Sequence, residues 1–156
     1  MDWWGVNLPK IIGMVAFSIG LMISVIDFKY YVIPNRLNMV LLLIGYIYHF
    51  ISGDLSFIER LWGLTAGFGV LFLLSAISRG GIGGGDIKLA AVMGFWLGSG
   101  GILYALFIGA LAGSITGLAL ILMGIKKRKE AIPFGPFLIM GFLMVYFFSE
   151  RIALFG

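Results

Sequence analysis

The fold of this protein is decided by an apolar stretch near its amino terminus, IIGMVAFSIGLMISVID at residues 11–27. Residues 11–26 contain no charged side chain, and the stretch ends on the carboxylate of Asp27. A helix needs roughly 20 mostly apolar residues to cross a bilayer. Because the stretch approaches that length, we predict that it forms a membrane-spanning helix that ends near Asp27.

Five further apolar runs follow the first and occupy most of the chain. Their approximate bounds are residues 37–51, 61–78, 87–97, 102–125 and 133–148. The run at 87–97 is too short to cross a bilayer alone, so we expect it to be tilted or to extend into the glycine-rich sequence beside it. The pattern predicts an all-α, polytopic membrane protein of about six transmembrane helices.

The composition supports the same class of protein. The chain has 156 residues, of which 61% are hydrophobic and 12% are charged, and its mean hydropathy is +1.09. Soluble domains have about twice this charged fraction. Because about six spans of roughly 20 residues leave only short loops, a separate soluble domain is excluded. We therefore expect residues 1–156 to form a single integral-membrane domain.

Cysteine and histidine usage narrows the possible chemistry. The absence of cysteine excludes disulfides, thiolate zinc sites and a cysteine nucleophile. The one histidine, His49, leaves no histidine-based metal cluster and little scope for a Ser-His-Asp triad. We expect no metal or other cofactor, and we interpret His49 as a packed or hydrogen-bonded residue of the second helix. The net charge of +4 indicates cytoplasmic loops rather than nucleic-acid binding.

Basic residues predict the orientation, because Lys and Arg are enriched in cytoplasmic loops. With six spans, the side expected to be cytoplasmic has Lys29, Arg36, Arg79, Lys88 and the basic run at 126–129. The opposite side has only Lys10, Arg60 and Arg151. Both termini are therefore expected outside, with Trp3 and Trp4 as interfacial anchors.

Two aspartates differ from the other acids because each adjoins an apolar helix. Asp27 ends the first run, and Asp86 opens the fourth. Because one outward and one inward span separate them, we expect both carboxylates at the cytoplasmic face. A carboxylate at a membrane boundary is costly unless it is solvated, paired or functional. Two carboxylates that lie close together share a proton and titrate as a unit, as they do in aspartic proteases.

A glycine-dense segment, GGIGGGD at residues 80–86, precedes the fourth run. Glycines allow the backbone to approach a neighbouring helix or an extended substrate closely. Asp86 is expected at a helix N-terminus, whose dipole favours its ionised form. A plainer interpretation stays open at this point, in which the glycines form a flexible loop, Asp86 is an N-cap and Asp27 is a helix end that meets water.

Three segments resemble motifs of the type IV prepilin peptidase family, which are membrane aspartic proteases of the Gly-x-Gly-Asp kind. They are DFKYYVIPN at residues 27–35, GGGDIKL at 83–89 and PFGP at 133–136. The resemblance extends over essentially the whole chain and implies that Asp27 and Asp86 form the catalytic dyad. It also implies a prepilin or pseudopilin substrate, whose short basic leader is cut off at the cytoplasmic face of the membrane.

The resemblance implies further expectations about activity and supporting residues. Longer family members have a cysteine-containing N-terminal segment linked to N-methylation, and this chain resembles the short form, so we expect no methyltransferase activity. The motif residues expected to support the site or bind substrate are Pro34, Asn35, Gly83, Gly85, Lys88, Pro133, Phe134 and Gly135. Simpler roles stay open for some of them: a turn for Pro34 and Asn35, and a membrane anchor for Lys88.

Two other partners are expected from the pattern of small and basic residues. The basic run at 126–129 predicts contact with anionic membrane lipid. Gly109, Gly113 and Gly117 recur every four positions in the fifth run and favour close helix packing, either within the chain or in a homo-oligomer.

Two functions of other classes compete with the peptidase. The first is a small ion- or proton-coupled transporter that uses Asp27 and Asp86, because carboxylates inside membranes mark such pathways. A transporter places its site near the bilayer midplane, often between related halves, whereas both acids are expected near one face. The second is a non-catalytic membrane scaffold, which explains the helices but not the paired acids. The sequence favours the peptidase.

Overall fold

The protein is a bundle of helices. The computed structural model describes residues 3–127 and 130–155, and the side chains of residues 8–127 and 130–148. The helices are α1 (Trp3–Tyr30), α2 (Asn35–Ser52), α3 (Phe57–Ile77), α4 (Gly84–Leu122) and α5 (Gly135–Phe155). The described part of the chain contains no strand, so the predicted all-α class is confirmed.

The predicted apolar runs coincide with helices apart from their ends. The fifth run predicts a helix as far as residue 125, but α4 ends at Leu122, and Gly124 beyond it has a positive φ of 73°. The sixth run predicts a start at Pro133, but α5 begins at Gly135. Pro136 then lies in the first turn, where its missing N–H leaves no helical hydrogen bond unmade.

Residues 98–101 separate the fourth and fifth predicted runs, but the structure confines the interruption to one residue. Gly98 has φ 74° and ψ 178°, a conformation that only glycine adopts readily. It divides α4 into α4a, residues 84–97, and α4b, residues 99–122. The chain reverses direction there, since Gly67 of α3 lies beside both Ala90 of α4a and Ile102 of α4b.

Adjacent residues of α3, Glu59 and Arg60, bind the two helix ends that this break exposes. The Glu59 carboxylate accepts hydrogen bonds from the N–H and the hydroxyl of Ser99, at 2.9 and 2.6 Å, and so caps the start of α4b. The buried Arg60 guanidinium donates to the carbonyls of Phe95 and Trp96, at 3.1 and 3.3 Å, and so satisfies the end of α4a.

The same guanidinium also holds the connection between α2 and α3. Arg60 Nε donates to Nδ1 of His49 at 3.1 Å, and its other end forms an ion pair with Asp54. His49 is therefore hydrogen-bonded, as its sequence context predicts. Arg60, by contrast, is not an exposed outer-loop charge, because its side chain is 0% exposed.

The outer surface of the bundle is apolar. Phe50, Trp62 and Phe107 are each more than 60% exposed, as suits contact with lipid. Among the described residues, three helices are long and apolar enough to cross a membrane: α1 over Leu8–Tyr30, α3, and α4 with its break at Gly98. The protein is therefore a multi-pass membrane protein. The side chains of residues 3 and 4, the predicted interfacial anchors, lie outside the described side chains.

The recurrent glycines of α4b pack within the chain. A Cβ at Gly109 would lie 2.8 Å from the carbonyl oxygen of Phe137, and one at Gly117 would lie 3.0 Å from Cδ1 of Ile132. These small residues let α4b approach α5 and the segment before it closely. Packing inside the chain therefore accounts for the glycine pattern.

Candidate active site

Asp27 lies in the last turn of α1 and is 5% exposed. Its Oδ2 accepts a hydrogen bond of 2.9 Å from the N–H of Gly135, the first residue of α5. A Cβ at residue 135 would lie 2.7 Å from the same oxygen, so this contact requires glycine. The start of α5 therefore holds the carboxylate of Asp27 in place.

Asp86 lies in the first turn of α4a, three residues after Gly83. Its Oδ1 is buried and has no hydrogen-bond partner within the described part of the chain. The plainer interpretation of Asp86 as an N-cap is wrong, because Gly83 occupies the cap position with extended backbone angles, φ −67° and ψ 145°. This oxygen of Asp86 is therefore available to a ligand.

The three glycines directly before Asp86 differ in how closely their neighbours approach. A Cβ at Gly85 would lie 2.9 Å from Cβ of Ile33, in the connection between α1 and α2. A Cβ at Gly83 would lie 3.0 Å from Oδ2 of Asp86, whereas one at Gly84 would meet nothing within 4 Å. A side chain at position 85 would therefore displace Ile33, one at position 83 would displace the Asp86 carboxylate, and one at position 84 would displace nothing.

Asp27 and Asp86 line one cavity of about 510 Å³. Its walls are mainly apolar and include Leu71 and Leu74 of α3 and Leu106 of α4b. The structure therefore brings together the two acids that the alternation of spans predicts at one face. Such a cavity can receive an apolar segment of a ligand beside two groups that accept and donate protons.

The supporting residues predicted from the motifs form two groups. Gly83, Pro133 and Phe134 line the cavity with the two acids. Gly85 and Gly135 act at the helix contacts described above, where they set the approach of neighbouring segments. These five residues all adjoin the candidate site.

Pro34, Asn35 and Lys88 lie apart from the cavity. Pro34 is the N-cap of α2 and has an extended backbone, φ −67° and ψ 122°. Asn35 opens α2, and its Oδ1 accepts a hydrogen bond of 3.1 Å from Nζ of Lys88. These residues join the start of α2 to the start of α4a and so place the segment that precedes Asp86.

Sequence reasoning missed Tyr31 and interpreted Lys126 only as a membrane anchor. Tyr31 follows α1, has a positive φ of 56° and lines the cavity. Its hydroxyl accepts a hydrogen bond of 3.0 Å from Nζ of Lys126, which also donates to the carbonyl of Ala131 at 2.8 Å. The one sequence signal for Tyr31 is its position one turn after the first aspartate. Residues 128 and 129 of the same basic run lie outside the described residues.

A metal-binding group is not found in the described part of the chain. There, no three His, Asp or Glu side chains are placed to hold one ion. Asp27 lies in the last turn of α1 and Asp86 in the first turn of α4a, so both acids are at one end of the bundle. They therefore do not lie midway along the helices, where transporters hold their sites.

Comparison with known proteins identifies relatives along most of the chain. The profile of the type IV leader peptidase family matches residues 14–118, which include both aspartates. A prepilin leader peptidase/N-methyltransferase of Bacillus subtilis (strain 168) is 34% identical over 152 residues, which cover 97% of this chain and 61% of the relative. A protein of the same name from Escherichia coli (strain K12) is 32% identical over 131 residues, covering 80% of this chain and 57% of the relative.

A third relative of that name, from Burkholderia pseudomallei (strain 1026b), is 35% identical over 136 residues, covering 83% of this chain and 43% of the relative. The chain thus spans only 43% to 61% of the length of these three proteins. No solved structure matches it. Since the family profile covers both acids of the cavity and most of the helices that hold them, the chain belongs to the type IV leader peptidase family.

Proposed function

We propose that this protein is a membrane-embedded aspartic endopeptidase that removes the short leader peptide from type IV prepilins or pseudopilins. The main support is that Asp27 and Asp86 line one apolar cavity in a chain of a leader peptidase family. The relatives are named as prepilin leader peptidases, which favours the same class of substrate here.

In this proposal the two carboxylates divide the proton transfers of peptide hydrolysis. The ionised carboxylate takes a proton from water as the water oxygen attacks the scissile carbonyl, and the protonated carboxyl donates to the carbonyl oxygen. The tetrahedral intermediate then loses its C–N bond: the leaving amine receives the proton that was taken from water, and one hydroxyl of the intermediate returns its proton to the other aspartate as the carbonyl re-forms. The step uses no nucleophilic side chain and no cofactor.

The surroundings of the two acids suit these roles. The N–H of Gly135 holds Oδ2 of Asp27, and Asp27 also lines the cavity that receives water and substrate in this proposal. The buried Oδ1 of Asp86 has no partner among the described residues and gains one when water or the scissile peptide enters. Binding of substrate therefore gives this oxygen a hydrogen-bond partner.

The cavity walls favour a substrate that is apolar next to the scissile bond. Leu71, Leu74, Leu106 and Phe134 give the cavity an apolar lining. A peptide that crosses from a polar leader into an apolar helix places its apolar side chains against these walls. Gly83, which also lines the cavity, leaves room for an extended backbone.

The proposal includes a location and an orientation. Residues 1–156 form one integral domain of the cytoplasmic (inner) membrane, with six spans, both termini outside and the dyad at the cytoplasmic face. The support is the distribution of positive charge. The connections on the same side of the predicted spans as the two acids contain Lys29, Arg36, Lys88 and the run at 126–129. Basic residues are enriched in cytoplasmic loops. Prepilin and membrane lipid are the partners that follow.

The N-methyltransferase activity in the relatives' names is not part of the proposal. The chain has no cysteine, and the resemblance links methylation to a cysteine-containing segment of longer members. We therefore expect the 156-residue chain to cleave its substrate without methylating the new amino terminus. Mass spectrometry of the processed pilin tests this, and a product heavier by one methyl group would contradict it.

Reconstitution tests the proposed reaction against the ion-coupled transporter. The purified chain in lipid vesicles is mixed with a purified prepilin, and the products are identified by mass. A single cut at the end of the leader, with no flux of protons across the vesicle, is the expected result. Proton flux without any cleavage would contradict the proposal and favour the transporter.

A further inference from the structure

A second groove lies between α2 and α4a, outside the candidate active site. It has a volume of about 350 Å³, and none of its lining residues lines the cavity of the two acids. The residues that line this groove, called here the α2–α4a groove, are Asn35, Asn38, Met39, Leu42, Lys88 and Val92.

One end of the α2–α4a groove is cationic. Lys88 is exposed, and its Nζ is bonded to the amide oxygen of Asn35 rather than to a carboxylate. Both residues lie within the first two turns of their helices. The lysine charge and the positive ends of the two helix dipoles therefore favour an anion at this end.

A buried amide without partners lies next along the groove. Asn38 is 4% exposed, and neither its Oδ1 nor its Nδ2 has a hydrogen-bond partner within the described part of the chain. Buried polar atoms of side chains are nearly always paired. The amide therefore indicates a polar ligand atom that enters the groove beside it.

The rest of the groove is apolar. Met39 and Leu42 of α2 and Val92 of α4a form its walls. A helix rises ~1.5 Å per residue. Measured along α2 from Asn35, Asn38 therefore lies roughly 4.5 Å away and Leu42 roughly 10 Å away. The lining therefore changes from cation to amide to hydrocarbon within about half the thickness of a leaflet.

We propose that the α2–α4a groove binds one anionic glycerophospholipid. Lys88 binds the phosphate, the Asn38 amide donates to an ester carbonyl one helical turn deeper, and an acyl chain lies along Met39, Leu42 and Val92. This order of groups is the order in which a phospholipid in a bilayer presents them. A free phosphate does not use the amide or the apolar walls.

Lipid retention tests the proposal without reference to peptidase activity. The purified protein in detergent is given equimolar phosphatidylglycerol and phosphatidylcholine with identical acyl chains, and bound lipid is counted by native mass spectrometry. One phosphatidylglycerol is expected to be retained in preference. Lys88→Gln and Asn38→Leu are each expected to lower its retention about tenfold, the loss of one charge-assisted or amide contact.

Two further variants control for charge and folding. Arg36→Gln removes a positive charge from a neighbouring exposed residue that does not line the groove, and it is expected to retain the lipid. Met39→Trp fills the groove from a position that is 69% exposed, so it lowers retention without disturbing the core. Size-exclusion chromatography confirms that each variant is folded.

Four results would overturn the proposal. Equal retention of the two lipids, or equal loss in Arg36→Gln and Lys88→Gln, would show that Lys88 selects no headgroup. Displacement of the lipid by glycerol phosphate at similar concentrations would show a site for a free phosphate. Displacement by a prepilin peptide would show that the α2–α4a groove belongs to the substrate.

Discussion

At the scale of single residues, the candidate site depends on a contact so close that it leaves no room for a side chain at residue 135. The Asp27 carboxylate is held by the N–H of Gly135, where a Cβ would come within 2.7 Å of Oδ2. Asp27 and Asp86 could be singled out from the sequence because a carboxylate beside an apolar run is chemically unusual. Tyr31 and Asn38 could not, since their importance depends on neighbours from distant parts of the chain.

A methyl group at residue 135 tests the hold on Asp27. We expect Gly135→Ala to lower kcat for prepilin cleavage about a hundredfold, because the added Cβ displaces the carboxylate by a fraction of an ångström or more. Gly84→Ala is the matched control, since a Cβ there meets nothing within 4 Å. Equal activity of the two variants would show that the contact between Gly135 and Asp27 does not position the acid.

At the scale of secondary structure, the decisive element is α4, which reverses at Gly98 within one residue. The apolar runs on either side predict two helices, and the glycines between them predict a reversal. The tightness of the reversal could not be predicted, because it depends on Glu59 and Arg60, which belong to α3 and are about 40 residues away. Nothing in their local sequence distinguishes them from charges in an outer loop.

Loss of the Arg60 guanidinium tests this account of α4. We expect Arg60→Met to destabilise the fold by about 3 kcal/mol, because it leaves buried carbonyls and the Asp54 carboxylate without their donor. Arg36→Met removes the same charge from an exposed position and is expected to change stability by less than about 0.5 kcal/mol. Thermal unfolding in detergent measures both, and equal melting temperatures would contradict the capping role.

At the scale of the whole molecule, two ends of the bundle differ in chemistry. One end holds the acids and most of the basic residues, and the other holds the break at Gly98 with its buried Arg60. The sequence predicts this division because each apolar run sends the chain to the opposite side. It does not predict the shape of the cavity, which depends on side chains from α1, α3, α4 and the segment before α5.

Labelling of introduced cysteines tests the proposed orientation, and the chain suits it because it has none of its own. Lys10→Cys is expected to react with a membrane-impermeant thiol reagent in intact cells. Lys127→Cys, the same substitution in the loop after α4, is expected to react only once the membrane is permeabilised. The reverse pattern would place the acids on the outer face and contradict the proposed location.

The central claim is that Asp27 and Asp86 together hydrolyse a prepilin leader peptide. The measurement that tests it most directly compares cleavage of a co-expressed prepilin by the wild type, Asp27→Asn and Asp86→Asn at matched levels in membranes. Each substitution is expected to lower the cleavage rate by at least about a hundredfold, because each removes one of the two proton-transfer groups. Normal cleavage by either variant would show that the two aspartates are not a catalytic pair.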